Sequence, residues 1–274
     1  MILSWQEAAA LATTLAVLGF LPASRSGRPG WRGATAVARE AALIAGLYAL
    51  WQLAGTLSVM RVNGAIGRGR WLWSVERLLP LPRELTVQRW ALPHPLVVQA
   101  SNVYYLAVHG PALIAFLIWM FFRHRDRYAT WRNTIAITTG ACLALQLIPV
   151  APPRLLSGIG FVDTAQQYHQ SVYTKLGSGM ADQLSAMPSV HVAWAVLIAL
   201  AVIRISTSRR RWWVLVHPAL TMVAVTVTAN HFYLDGIVAV AILALALRLQ
   251  RAARAVMVRV HPPELVPEPA VVGV

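Results

Sequence analysis

The chain has 274 residues, of which 57% are hydrophobic and only 12% charged, with a mean hydropathy of +0.56. A soluble domain carries roughly 25% charged residues, so the composition excludes an ordinary soluble fold and describes a polytopic membrane protein. The formal net charge of +14 is almost all arginine. It is read as cytoplasmic-side enrichment plus attraction to anionic membrane lipids, not as nucleic-acid binding, because the arginines sit in short loops between apolar runs.

Seven apolar segments, near 6–22, 39–60, 103–122, 133–150, 188–204, 212–229 and 234–250, approach the length that crosses a bilayer. Backbone in lipid must satisfy its own hydrogen bonds, so each is expected to be a helix. The fold class is therefore all-α: a membrane helix bundle with a six-helix core, an extra N-terminal helix that is short and Ala-rich, and one interfacial helix. One membrane domain is expected over 1–255, with an active-site core at about 100–250 and a Pro-rich disordered tail over 256–274. The N-terminus does not read as a cleaved signal, because Glu7 precedes the apolar run and no basic stretch does. Cys142, the single cysteine, lies inside an apolar run and has no partner for an internal disulfide.

If the seven segments alternate, four basic clusters share one side, which is then cytoplasmic. They are Arg25, Arg28 and Arg32; Arg123, Arg125, Arg127 and Arg132; Arg209, Arg210 and Arg211; and Arg251, Arg254 and Arg259. The opposite, extracytoplasmic face holds loops 61–102, 151–187 and 230–235. The stretch from Arg61 to Arg89 breaks the rule with six arginines on that opposite face. There Trp71, Val75, Leu78 and Leu79 fall at helical spacing with Arg70 and Arg77 on another face. This predicts an amphipathic helix in the headgroup plane whose arginines could gather anionic lipid.

Ionisable groups at the ends of apolar segments mark function by default. Arg154 follows the fourth segment, His191 opens the fifth within Pro188-Ser189-Val190-His191, and His231 and Asp235 follow the sixth. Counting segments puts all four on one face whichever way the chain is inserted. His231 and Asp235 are four residues apart, so on a helix they are neighbours. A carboxylate there can hold one ring nitrogen and leave the other to react. His191 is a second imidazole suited to proton transfer. Arg154 offers a planar fork for phosphate oxygens, and Ser189 with the start of its helix offers further donors. Together these residues describe phosphoryl transfer.

At these residues the chain resembles the type-2 phosphatidate phosphatase superfamily, membrane lipid phosphate phosphatases related to vanadium haloperoxidases. Its three motifs, K-x6-R-P, P-S-G-H and S-R-x5-H-x3-D, are matched in order at Arg154, at Pro188 to His191, and at His231 with Asp235. The first motif's lysine falls at Leu147, its proline at Leu155, with Pro153 before the arginine instead. The second motif's glycine is Val190, and the third's Ser-Arg falls at Ala224 and Val225. The pattern is more similar to the subgroup of inositol phosphorylceramide synthases and bacterial relatives, which transfer a headgroup. The resemblance implies His231 as nucleophile through a phosphohistidine, Asp235 as its holder, His191 as proton donor, and Arg154 and Ser189 as phosphate ligands. It implies no cofactor and no metal.

Further candidates for the substrate pocket are His109, Asn230, Lys175 and Tyr105. Lys175 is the only lysine and could replace the missing cation. His109 suits a hydrogen bond to a neighbouring helix, and Asn230 either positions His231 or caps the last helix. Loop 155–187 is polar and long, as binding loops often are. His217 is expected to be structural and far from the active face. The expected partner is a lipid phosphate, pyrophosphate or phosphodiester substrate in the cell membrane, and a homo-oligomer is compatible with the sequence. Three other readings stand beside the phosphatase: a headgroup transferase, a metalloenzyme with His191, His231 and Asp235 as ligands, and a non-enzymatic lipid transporter.

Overall fold

A computed structural model describes residues 3–20, 29–58, 63–171 and 182–260. Lys175 and the tail from 261 onward lie outside the described residues. The described chain is all α-helical, without a strand, and is joined by short 3-10 turns. In chain order the helices are α1 (Trp5–Phe20), α2 (Pro29–Ser58), α3 (Ala65–Glu76), α4 (Glu84–Ala91), α5 (Pro95–Ala107) and α6 (His109–Arg123). They continue as α7 (Arg125–Gln146), the short α8 (Thr164–Gln167), α9 (Val190–Ile205), α10 (Val216–Val227) and α11 (Tyr233–Val260).

Two helices are long and apolar enough to cross a membrane by length and composition: Gly33–Leu53 within α2 and Tyr233–Val256 within α11. A third candidate is the pair α5 and α6, bent by 47°. Pro111 explains the bend. It has no N–H to give the Ala107 carbonyl, and its ring crowds that carbonyl, so the helix breaks one turn earlier at Val108. The sequence predicts seven spans; among the described residues two helices, or three with the bent pair, have the length and composition to cross a membrane, and the other apolar segments form helices that are shorter or less apolar. The expected 212–229 segment starts in a 3-10 turn, Arg209–Leu215, and only Val216–Val227 is α-helical. Conversely, Arg125, Arg127 and Arg132 belong to the first turns of α7, not to a loop before it.

The core joins α6, α7, α9 and α11 through Phe116, Met120, Trp131, Leu197 and Leu243. Trp194 donates its indole N–H to Thr139, tying α9 to α7 at 2.9 Å. α1 packs along α2 as an N-terminal hairpin, where Arg39 reaches the Gly19 carbonyl at 2.6 Å. Glu40 fastens that hairpin to the bundle by accepting from Arg132 and from the Tyr128 hydroxyl on α7.

A second, smaller core lies under α3, formed by Ala65, Leu72, Val150, Leu156, Leu184 and Phe232. Here the amphipathic segment packs on the protein by a different face from the apolar one expected to meet the headgroups. The buried stripe is Ala65, Gly69, Leu72 and Glu76, whereas Trp71 is 65% and Leu78 84% exposed. The helix ends at Glu76, before Leu78. Small residues decide the orientation, because Gly69 and Ala65 allow a close approach to the chain at Ala151. The Ala151 N–H donates to the Ala65 carbonyl at 3.1 Å, and a Cβ on Gly69 would stand 2.6 Å from the Ala151 carbonyl oxygen. The large apolar side chains are left pointing outward.

Candidate active site

Three chain segments converge at one end of the bundle. The first is the turn Pro153–Leu155, where the Arg154 N–H donates to the Ala229 carbonyl at 3.0 Å. The second is the approach to α9. Val150 and Ser185 form a parallel bridge, with Val150 N–H donating to Leu184 and Ala186 N–H to Val150. The third is the turn between α10 and α11. Ala229 sits there at φ 50°, Asn230 N–H reaches the Val225 carbonyl, and Ala229 N–H reaches Thr226. This pair of bonds is a Schellman closure, which requires a left-handed residue after the helix. It swings the chain so that His231 faces the Ala186 carbonyl.

His231 is held at one nitrogen only. Its Nδ1 lies 2.7 Å from the Ala186 carbonyl and 3.3 Å from Asp235 Oδ2. A carbonyl only accepts, so Nδ1 carries the proton and the lone pair sits on Nε2. Nε2 is buried and makes no hydrogen bond to the described residues. Asp235 is fully buried and divides its work: Oδ2 also accepts from the Phe232 N–H at 2.9 Å, as an N3 carboxylate does in a capping box. The carbonyl, at the shorter distance, is therefore the main orienter of the ring, and the carboxylate is the second.

The His191 ring lies 5.9 Å from the His231 ring, centroid to centroid. Tyr105 packs beside both, at 4.6 Å and 6.1 Å. His109 lies behind His191 at 4.8 Å, and its Nε2 is 3.2 Å from the Thr221 hydroxyl on α10. The expected link to a neighbouring helix is thus present. His217, at the start of α10 and so at the end away from the site, neighbours the imidazoles only through His109: its ring is 5.7 Å from His109, and it shares a 2.6 Å hydrogen bond with the Tyr104 hydroxyl. Four imidazoles thus form a file, His231, His191, His109 and His217.

Arg154 is nearly buried, and its fork is engaged. Nε donates to Asn230 Oδ1 at 2.9 Å, and Nη1 to Asp163 Oδ2 at 2.6 Å and Gln183 Oε1 at 3.2 Å. Asn230 gives its amide N–H to Thr228 and accepts from Arg154 at its side-chain carbonyl oxygen, so its side-chain hydrogen bonds hold Arg154. Ser189 is fully buried and caps α9, accepting from the Val192 N–H at 3.4 Å. Its own N–H donates to the Asp235 carbonyl at 3.1 Å, which joins the His191 and His231 segments. A cavity of about 20 Å3 opens among Tyr105, Arg154, Gln170 and Asn230, room for about one water.

Sequence reasoning missed two residues, Glu76 at the end of α3 and Glu84 at the start of α4. Glu76 accepts from the Leu234 N–H at 2.8 Å and Glu84 from the Tyr233 N–H at 3.2 Å. With Asp235 on Phe232, three buried carboxyl groups satisfy three successive N–H groups at the start of α11, where the helix dipole favours negative charge. Burial first, and then the neighbouring Glu84 carboxyl, push Glu76 up to about 9. A protonated Glu76 can give its hydrogen to Glu84, so the pair sits together without full like-charge repulsion. The available signal was scarcity: the chain has ten acidic residues, and two of them stand alone in an arginine-rich segment.

Gln88 on α4 completes the clamp by bonding both ways with Val162 and donating to the Val227 carbonyl at 3.0 Å. Among the described residues no group of three or more His, Cys, Asp or Glu could hold a metal ion.

No curated protein and no solved structure matches the chain. A family model does match, over residues 70–249, which is well over half the chain and runs from α3 into α11. That span contains His191, His231, Asp235, Arg154 and both α3–α4 carboxyl groups. The chain belongs to the PAP2 superfamily, and with that membership goes phosphatase-type activity on phosphate esters.

Proposed function

We propose that this protein is a membrane lipid phosphatase or phosphotransferase that works through a phosphohistidine on His231. The observation that carries the reading is the fixed tautomer of His231, whose Nδ1 is committed to Ala186 and Asp235 while Nε2 keeps its lone pair. In the first step Nε2 attacks phosphorus, the bond to the leaving oxygen breaks, and His191 gives that oxygen its proton. In the second step His191 takes a proton from water or a lipid alcohol, whose oxygen attacks phosphorus and frees His231. Arg154 supplies positive charge to the phosphoryl oxygens, where the transition state needs it. Asp163 and Gln183 share its fork and keep it aimed.

The substrate reading follows from the placement of the site at the end of apolar helices, within reach of a headgroup. Its face is extracytoplasmic if the arginine clusters at the far ends of α9 and α11 are cytoplasmic. Two departures from the superfamily motifs, Leu147 and Val225, remove cationic contacts. They favour a phosphodiester or pyrophosphate, and a headgroup transferase is the second reading on that ground. The test is a panel of phosphatidate, polyprenyl phosphates and phosphatidylinositol species given to purified protein, with phosphate release and headgroup exchange both measured. Vanadate-sensitive, chelator-insensitive turnover that disappears in His231→Ala is the expected result. Turnover that survives His231→Ala defeats the proposal.

A further inference from the structure

The α3–α4 segment separates its charges by side. Glu76, Glu84 and Gln88 point into the protein, onto α11 and the 158–163 loop. Arg77, Arg83 and Arg89 point the other way and line one cleft of about 360 Å3, with Trp73, Thr86 and Gly158 completing its walls. The three arginines are exposed, and among the described residues none of them makes an ion pair. Arg77 stacks on the Trp73 ring at 5.9 Å, and Trp73 in turn meets Phe161 edge-on at 5.4 Å, so the wall is rigid. The opposite wall is close: a Cβ on Gly160 would stand 3.1 Å from Arg89 Nη2, at a φ of +102°. Three like charges gathered without a counter-charge repel one another, and an anion between them removes that cost.

A second arginine cleft, of about 310 Å3, lies at the far ends of α9 and α11, among Arg127, Arg204, Arg251 and Arg254. Cytoplasmic enrichment of arginine accounts for one basic end of a membrane protein, not for two. The cleft at the active-site end therefore needs another reason. Around it Trp71, Leu78 and Trp90 are 65%, 84% and 66% exposed, and all three are borne by the same segment as the arginines. Apolar and indole side chains beside guanidinium groups suit the plane where acyl chains meet headgroups.

We infer that this cleft is a second phosphate-binding site, separate from the catalytic pocket, for the headgroup of an anionic phospholipid. It shares no lining residue with the pocket around Arg154, yet both borrow the loop from Gly158 to Asp163. The bound lipid holds that loop and the α3–α4 segment against the membrane while the catalytic pocket handles a different phosphate. The inference does not depend on the reaction proposed above.

The test is lipid retention by the full chain in neutral detergent, read by native mass spectrometry as phosphatidylglycerol or phosphatidylcholine is titrated in. Phosphatidylglycerol is expected to bind more tightly than phosphatidylcholine. Arg83→Gln with Arg89→Gln should weaken its first binding step about tenfold. The charge-matched pair Arg209→Gln with Arg210→Gln should leave that step unchanged. The single variants should each weaken it in the same direction, which keeps the test available if the double variant does not fold. Equal loss in the charge-matched pair, or equal binding of the two lipids, overturns the assignment. Displacement of the lipid by inorganic phosphate alone overturns the lipid as its source. Since no turnover is measured, failure here leaves the His231 chemistry untouched.

Discussion

The two ends of the bundle are both rich in charge, and they handle it in opposite ways. At the far end Arg127 and Asp126 meet in solvent, with side chains 54% and 73% exposed, and Arg132 and Glu40 are half-buried at 22% each. In the catalytic pocket at the other end the charges are inside. Arg154 and Asp163 pair with side chains 3% and 18% exposed, and Asp235 has no exposure at all. A surface pair trades one hydrated state for another and gains little. A buried group must be matched atom by atom or it destabilises the fold. The active-site end therefore spends folding stability on prearranged polar geometry, which is what a phosphoryl-transfer site requires.

The largest expected effect lies at the atom that this geometry leaves reactive. His231→Ala should lower phosphate-ester turnover by about three decades or more, measured as phosphate release from whichever panel substrate the parent hydrolyses best. Asp235→Asn should cost less. The Ala186 carbonyl still fixes the Nδ1 proton, and the asparagine oxygen can still accept from Phe232. If Asp235→Asn is as damaging as His231→Ala, the carbonyl is not the main orienter.

Stability gives the direct comparison of the two ends. Arg154→Met leaves Asp163 without its partner in a mostly buried position and should cost about 3 kcal/mol. Arg127→Met, at the exposed pair, should cost less than about 0.5 kcal/mol. Both are read from unfolding in the same detergent. Arg154→Met combined with Asp163→Leu should recover part of the loss, because no charge is then stranded. Equal costs at the two ends would mean that burial does not separate them.

These contrasts also say what was legible in the sequence. Periodicity and apolar length made the helical bundle readable, and the order Arg154, His191, His231, Asp235 made one end of it readable. The hydrophobic run could not report the break at Val108, because it requires weighing one proline against an otherwise apolar run. The face by which α3 packs on the protein was not read for a related reason. Trp71 and Leu78 are the stronger hydrophobic signal, but close approach at Gly69 is decided by the absence of a side chain. The partners of the site were hidden for another reason. Ala186 acts through its carbonyl, which every residue has. Glu76 and Glu84 act more than 140 residues away in the chain, on N–H groups of α11. Neither kind of contact leaves a local pattern.

The carboxyl pair at the active-site end supplies a pH signature. Glu76 ionises at an ordinary value of 4.5 when unfolded and at about 9 when folded. Between these values the folded chain keeps a proton that the unfolded chain releases. This group's contribution is therefore complete below about pH 4.5 and fades as pH rises toward 9, with a slope of at most about 1.4 kcal/mol per pH unit. Glu76→Gln keeps an acceptor for Leu234 and a permanent donor for Glu84. It should flatten the stability profile between pH 5 and 9 and unfold later than the parent at the alkaline end. Parallel profiles for the two proteins would show that Glu76 is ionised throughout.

The smallest expected effect tests whether the active-site end also stores backbone strain. Ala229 closes α10 in the left-handed region, at φ 50°, a conformation that costs a residue with a Cβ about 1 kcal/mol or more. It is retained because two backbone bonds and the Arg154 N–H all converge there. Ala229→Gly removes the steric penalty and adds freedom to the unfolded chain, two effects that partly cancel. The net should be a gain of about 0.5 kcal/mol, seen as a slightly later thermal unfolding with His231 still facing Ala186. A loss of stability would mean that the alanine methyl group packs usefully in the buried turn, so that the turn is held by contact as well as by hydrogen bonds. The gain would identify position 229 as a point where stability was given up without any benefit to the chemistry.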